Sequence, residues 1–191
     1  MTSRTHDLAA FTALNLITAT QILPHLTLST VMTAIGANFL GGLAPDLDKP
    51  TSEFWQKFPA GSYLGHILHT FLGGHRLISH SVIGFVLFGL LSKYILSLLS
   101  HTIIADMNIV WIAFMIGYFS HLLMDMLTSE GIPLFFPIPV HIGFPPFKIL
   151  RIKTGGLIEK AIIFPLLLIA NGYLFYHFYP TYIHLLKTFI K

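Results

Sequence analysis

Ile109-Val110-Trp111-Ile112-Ala113-Phe114-Met115-Ile116-Gly117-Tyr118-Phe119-Ser120-His121-Leu122-Leu123-Met124-Asp125-Met126-Leu127 runs apolar from its first residue, then carries a histidine and an aspartate near its end. A helix needs roughly 20 predominantly apolar residues, with about 17 as the lower limit, to cross the hydrocarbon core of a bilayer. This stretch therefore reads as a membrane-spanning helix. Histidine and aspartate at membrane depth are costly and by default point to function. His121 and Asp125 lie four apart, so they share one helix face and both reach a single ion. Imidazole with carboxylate suits Zn²⁺, with Mn²⁺, Fe²⁺ or Ni²⁺ as alternatives. The plainer alternative is a His–Asp hydrogen bond that satisfies two polar groups inside a bundle.

Four further apolar segments flank this one: Leu8–Leu23, Leu26–Ala44, Val82–Leu99 and Ala161–Tyr179. The first is the shortest and contains Asn15 and Gln21, so its length is marginal for a full crossing. Pro24-His25 breaks the chain between the first two and suggests a helical hairpin. Ala37 and Gly41 in the second segment have the small-xxx-small spacing that lets membrane helices approach closely. The composition agrees with a membrane protein: 54% of the 191 residues are hydrophobic and 10% are charged, against about a quarter charged in soluble domains. The expectation is one membrane-embedded, all-α domain over residues 1–191, a multi-pass helix bundle.

With no cysteine in the chain, disulfides, thiolate ligands and a cysteine nucleophile are excluded. There is no basic run of the kind that binds nucleic acid, so the expected partner is membrane lipid, not nucleic acid. The N-terminal residues do not resemble a secretory signal. If all five segments cross, Arg4, Lys49, Lys57, Arg76, Lys148, Arg151, Lys153 and Lys160 share one side, and Lys93, Lys187 and Lys191 the other. The positive-inside rule then puts the first side in the cytoplasm.

That same side collects four clusters: Thr5-His6-Asp7, Ala44-Pro45-Asp46-Leu47-Asp48-Lys49-Pro50, Gly74-His75-Arg76-Leu77-Ile78-Ser79-His80-Ser81, and Gly117 to Thr128 with His121 and Asp125. The segmentation used none of these histidines or aspartates, so their convergence is an independent observation. Alternate carboxylates at Asp46 and Asp48 suit a cation or a shared proton. Arg76 suits bidentate contact with phosphate or carboxylate, or else anchors the chain to lipid headgroups. Ser79 and Ser81 lack a nucleophile-elbow context and read as caps or hydrogen-bond donors behind the site. His66 and His69 lie three apart without an acid and are weak candidates, while His25, His101, His177 and His184 fall near the opposite face. The middles of the last three segments are almost wholly apolar, which argues against an ion carrier, since a carrier needs polar groups through the midplane.

In this order, Thr-His, Pro-Asp-Leu-Asp, Gly-His-Arg-x-x-x-His-Ser and Gly-Tyr-x-Ser-His-x-x-x-Asp-Met-Leu-Thr resemble the YdjM-like family, and Gly131-Ile132-Pro133-Leu134-Phe135-Phe136-Pro137 looks like that family's next segment. The resemblance covers about residues 5 to 160 and implies a bacterial or archaeal inner-membrane protein classed with metal-dependent hydrolases. That family in turn looks distantly similar to the zinc-dependent phospholipase C and P1-type nuclease group. The likeness implies a phospholipase C-like helical core with His6, Asp46, His80, His121 and Asp125 as metal ligands, zinc first and manganese second. It further implies hydrolysis of a phosphoester in a lipid or another membrane-associated substrate. Asp48 would be a general base or further ligand, Arg76 would hold the substrate's negative charge, and His75 would protonate the leaving oxygen. The chain departs from that group in lacking a later pair of histidine ligands. The alternative is a non-enzymatic metal-binding membrane protein, an ion carrier or a scaffold.

Overall fold

The computed structural model describes residues 1–20, 26–56, 59–71, 77–138 and 140–190. The helices are α1 (Ser3–Thr20), α2 (Leu28–Leu43), α3 (Glu53–Gln56), α4 (Gly61–Phe71), α5 (Val82–Leu99), α6 (Met107–Met126), α7 (Phe164–His177) and α8 (Tyr179–Ile190). A 3₁₀ turn, Ala44–Asp48, prolongs α2, and a π-helical turn, Glu159–Ile163, leads into α7. Among the described residues there is no β-strand, only isolated bridges between Thr128 and Ile152 and between Ile132 and Ile142.

Four helices are long and apolar enough to cross a bilayer: Leu28–Asp48, Val82–Leu99, Met107–Met126 and Glu159–His177. They coincide with the four longer segments read from the sequence. The marginal first segment is a helix too, but it begins at Ser3 and is not among the four. It packs against α2, α6 and α7 all the same. The expected break at Pro24-His25 lies outside the described residues.

The helices start and stop where local chemistry dictates. Thr27 accepts a hydrogen bond from Thr30 N and caps α2. Ser81 caps α5 by accepting from Gly84 N, and Asp106 caps α6 by accepting from Asn108 N and Ile109 N. Each cap satisfies a donor that a helix start would otherwise leave unpaired.

The tightest contact in the bundle is α2 on α6, and small residues make it. A Cβ on Gly41 would lie 2.0 Å from Phe114 O, and one on Gly117 would lie 2.0 Å from Asn38 O. The Ala37/Gly41 spacing thus forms a helix–helix interface, as expected. Close backbone approach compensates for the missing hydrophobic drive between helices in lipid. Ala34, Ala37, Val110 and Ala113 fill this seam, and Ala44, Tyr118, Leu122 and Ile132 continue it toward one end. Asn38 Nδ2 donates to Ala113 O at 3.0 Å across the same seam.

The helix directions alternate. The start of α1, the end of α2, the start of α5, the end of α6 and the π turn before α7 all meet at one end of the bundle. The polar contacts described next show this convergence.

Candidate metal centre

The end of α2 sets the first candidate ligand. The 3₁₀ turn carries Asp46 and Asp48 out of the helix, and α3 and α4 hold it in place. Trp55 Nε1 donates to Leu47 O at 2.9 Å, and His69 Nδ1 lies 2.9 Å from Asp48 O. A carbonyl only accepts, so His69 Nδ1 carries the proton. His66 bonds instead within its own helix, to Ser62 O.

His121 and Asp125 come from the last turns of α6, both buried. His121 Nδ1 lies 2.6 Å from Gly42 O, a contact made possible by the close glycine seam. The carbonyl again fixes the tautomer: Nδ1 donates, so Nε2 presents a bare lone pair. That Nε2 is buried without a hydrogen-bond partner. It faces Asp46 Oδ1 at 3.9 Å and Asp125 Oδ2 at 3.8 Å. His121 Nε2 and two carboxylate oxygens thus converge at separations that a bridging cation fits.

His80, fully buried just before α5, is oriented by a relay. Ser79 Oγ donates to Asp48 Oδ2 and so accepts from His80 Nδ1 at 2.9 Å. His80 Nε2 is thereby turned toward Asp125 Oδ2, 3.5 Å away. Tyr118 OH donates to Ser79 O at 2.6 Å and fixes the same backbone. A histidine whose far nitrogen is tied to a carbonyl or carboxylate chain is the usual arrangement behind a metal ligand.

His6, from the first turn of α1, stacks on His121 with ring centroids 3.7 Å apart. Its Nε2 lies 3.1 Å from Asp125 Oδ1, and its Nδ1 is buried without a hydrogen-bond partner. The α-amino nitrogen of Met1 stands 2.5 Å from Asp125 Oδ1 and 3.0 Å from His6 Nε2.

The ligand atoms form two overlapping triads: His6, His121 and Asp125, and Asp46, His80 and His121, each with all atoms within 4.8 Å of one another. All five residues that the sequence reading assigned as ligands meet here. Of the five, His6, His80, His121 and Asp125 are buried, and Asp46 is 28% exposed. Placing carboxylates in such surroundings is expensive unless a cation compensates them. The donor set of three imidazoles and two carboxylates fits a borderline divalent ion.

The residues expected to carry catalysis fall differently. Asp48 is fully buried and is joined to the cluster through Ser79 and His80. His75 and Arg76 lie outside the described residues. Ser79 and Ser81 do what the sequence reading gave them, a donor behind the site and a helix cap. One residue escaped that reading: Glu159, fully buried at the π turn. Its Oε1 accepts from Thr2 N, Thr2 Oγ1 and Thr5 Oγ1, each at 2.7 Å, and its Oε2 accepts from Gly155 N at 2.7 Å. This latch ties the first turn of α1, and with it His6, to the start of α7.

No solved structure matches the chain. It is 35% identical over 146 residues to the uncharacterized protein YvsG of Bacillus subtilis (strain 168), covering 76% of this chain and 79% of that protein. The family model described as YdjM inner membrane protein matches residues 1–183, so the chain belongs to the YdjM inner membrane protein family.

Proposed function

We propose that the protein is a membrane-bound, metal-dependent hydrolase acting on a phosphoester of a lipid or another membrane-associated substrate, with its site at the cytoplasmic face. The observation that carries this reading is the convergence of three imidazoles and two carboxylates in two overlapping triads, with His121 Nδ1 held by Gly42 O and His80 Nδ1 held by Ser79 Oγ. A divalent ion held by His6, Asp46, His80, His121 and Asp125 would supply Lewis-acid activation of water for attack at phosphorus.

The protein's own residues do the rest. The Gly42 carbonyl and the Ser79–Asp48 relay hold Nδ1 of His121 and His80 from behind and so point both Nε2 atoms inward. Asp46, 28% exposed, marks the side from which water or substrate reaches the cluster, which supports a working site. Arg76 and His75 precede His80 by four and five residues in the sequence. They are assigned to hold the substrate's negative charge and to protonate the leaving oxygen. A carrier is less well supported, since a carrier needs polar groups through the midplane, and among the described residues Asn38 donates to the Ala113 carbonyl and Asn15 to Asn171 in helix-to-helix bonds.

Elemental analysis of detergent-purified protein, with turnover of a phosphoester panel by the zinc- and manganese-loaded forms, tests this. Bound metal with turnover that Asp46→Ala abolishes is the expected result. Bound metal without turnover of any ester would leave a metal-binding scaffold, and absence of metal after repletion would end both readings.

A further inference from the structure

The connection between α6 and α7 is long, ordered and apolar on its outside. Reciprocal backbone bonds join Ile132 and Ile142 at 2.9 and 2.8 Å. Ile152 N donates to Leu127 O at 3.0 Å, and Ser129 N donates to Ile152 O at 2.9 Å. Arg151 Nε donates to Pro145 O at 2.8 Å and Arg151 Nη2 to Pro146 O at 3.1 Å, so this guanidinium staples the loop. The fold of the loop nevertheless turns its large apolar side chains outward. Ile149 is 92% exposed, Leu157 81% and Phe147 69%, with Phe144, Leu150 and Ile158 exposed beside them. In water a contiguous patch of this kind marks an interaction surface.

Three exposed lysines, Lys148, Lys153 and Lys160, are interleaved with these residues, against one exposed acid, Glu130. Both feet of the loop are ends of membrane-spanning helices, Met126 and Glu159. Apolar side chains that sink into the acyl boundary, with lysines that reach the headgroups, are the pattern of an interfacial membrane segment.

We propose that the loop from Thr128 to Ile158 is an interfacial platform that lies in the headgroup layer of the protein's own bilayer and is held there by anionic lipid. A second copy of the chain fits the surface less well, because a symmetric contact sets the same patch against itself and brings lysine to lysine. The platform sits at the same end of the bundle as the metal centre, since Gly155 N and Thr2 N both donate to Glu159. It therefore fixes the depth of that centre at the headgroup level. The inference needs neither bound metal nor hydrolysis.

Because the chain has no cysteine, single nitroxide labels at Ile149→Cys and Leu157→Cys report the surroundings directly. In vesicles of neutral lipid mixed with phosphatidylglycerol, both labels should collide more with lipid-dissolved oxygen than with a water-soluble nickel chelate. Raising the phosphatidylglycerol fraction should deepen both labels, and less so when Lys148, Lys153 and Lys160 are changed to Gln. Labels dominated by the nickel chelate would show a loop in water. Labels shielded from both probes, with spin–spin broadening, would show a contact between copies. Depth that ignores anionic lipid would remove the role of the lysines. Each of these three results overturns the proposal.

Discussion

α5 and α6 are neighbours of similar length, and both read as membrane spans. They do opposite jobs. Only 11% of the α5 span is buried inside the protein, against 39% of α6. The buried residues of α5 are Gly84 and Gly89, whereas α6 buries Ala113, Gly117, Ser120, His121 and Asp125 among others. Leu90, Leu91 and Leu98 of α5 face outward. In lipid an outward leucine is as well solvated as an inward one, so hydropathy does not choose the buried face. Small residues that allow close approach and polar residues that need partners choose it. The more uniformly apolar helix is thus the outer one, and the helix with the costly residues is central.

The largest effect should come from breaking the central helix at its ligand. His121→Ala should bring the zinc content of the purified protein close to background, while Leu90→Ala leaves it unchanged. Loss of a partner behind a ligand already costs about 10- to 100-fold in metal affinity, and His121 touches both triads directly. Equal zinc in the two variants would remove the distinction between α6 and α5 as regards the site.

Next is the relay that α5 does contribute through its leading residues. Ser79→Ala breaks the path from His80 Nδ1 to Asp48 and frees the ring to rotate or change tautomer. Metal affinity, measured by competition with a chromogenic chelator, should fall by about 10-fold or more. The helix itself should persist, since its cap is Ser81. Unchanged affinity would show that Asp48 and Ser79 stabilise the turn only.

Much of this was legible from sequence because every candidate ligand falls at or just beyond the end of an apolar segment. Segment parity alone then gathers His6, Asp46, His80, His121 and Asp125 at one end. The pairing of α2 with α6 was half legible: Ala37 and Gly41 announced an interface, but nothing announced Gly117 as its partner. Glu159 was not legible. An acid before an apolar run reads as a solvated helix start, and its partners Thr2 and Thr5 lie more than 150 residues away. α4 and α8 escaped because amphipathic helices beside spans lack the long apolar run that gives a span away. The burial of Asp48 was not legible for a related reason. Two alternate carboxylates look equivalent in sequence, and only the fold separates Asp46, at the open edge, from Asp48, behind Ser79.

The smallest effect concerns the opposite end of the same bundle. There Asn15 Nδ2 donates to Asn171 Oδ1 at 2.9 Å, and Asn171 Nδ2 donates to Thr12 Oγ1 at 2.6 Å and Leu167 O at 2.9 Å. Tyr182 OH donates to Asn15 Oδ1 and brings α8 into the network. Unlike the metal centre, this cluster carries no charge and satisfies its own donors. It should therefore contribute to stability and not to ion binding. Hydrogen bonds between membrane helices average about 0.6 kcal/mol in double-mutant cycles. Asn171→Leu removes the bonds to Asn15 and Thr12, so unfolding in detergent should show a loss of about 1 kcal/mol. Zinc content should be unchanged, since the variant does not touch the Glu159 latch that holds His6. A loss several times larger would mean that this network, and not the Glu159 latch alone, fixes the position of α1 against α7. A fall in zinc content would mean that the two ends of the bundle are coupled through α1, and the division between a structural end and a functional end would fail.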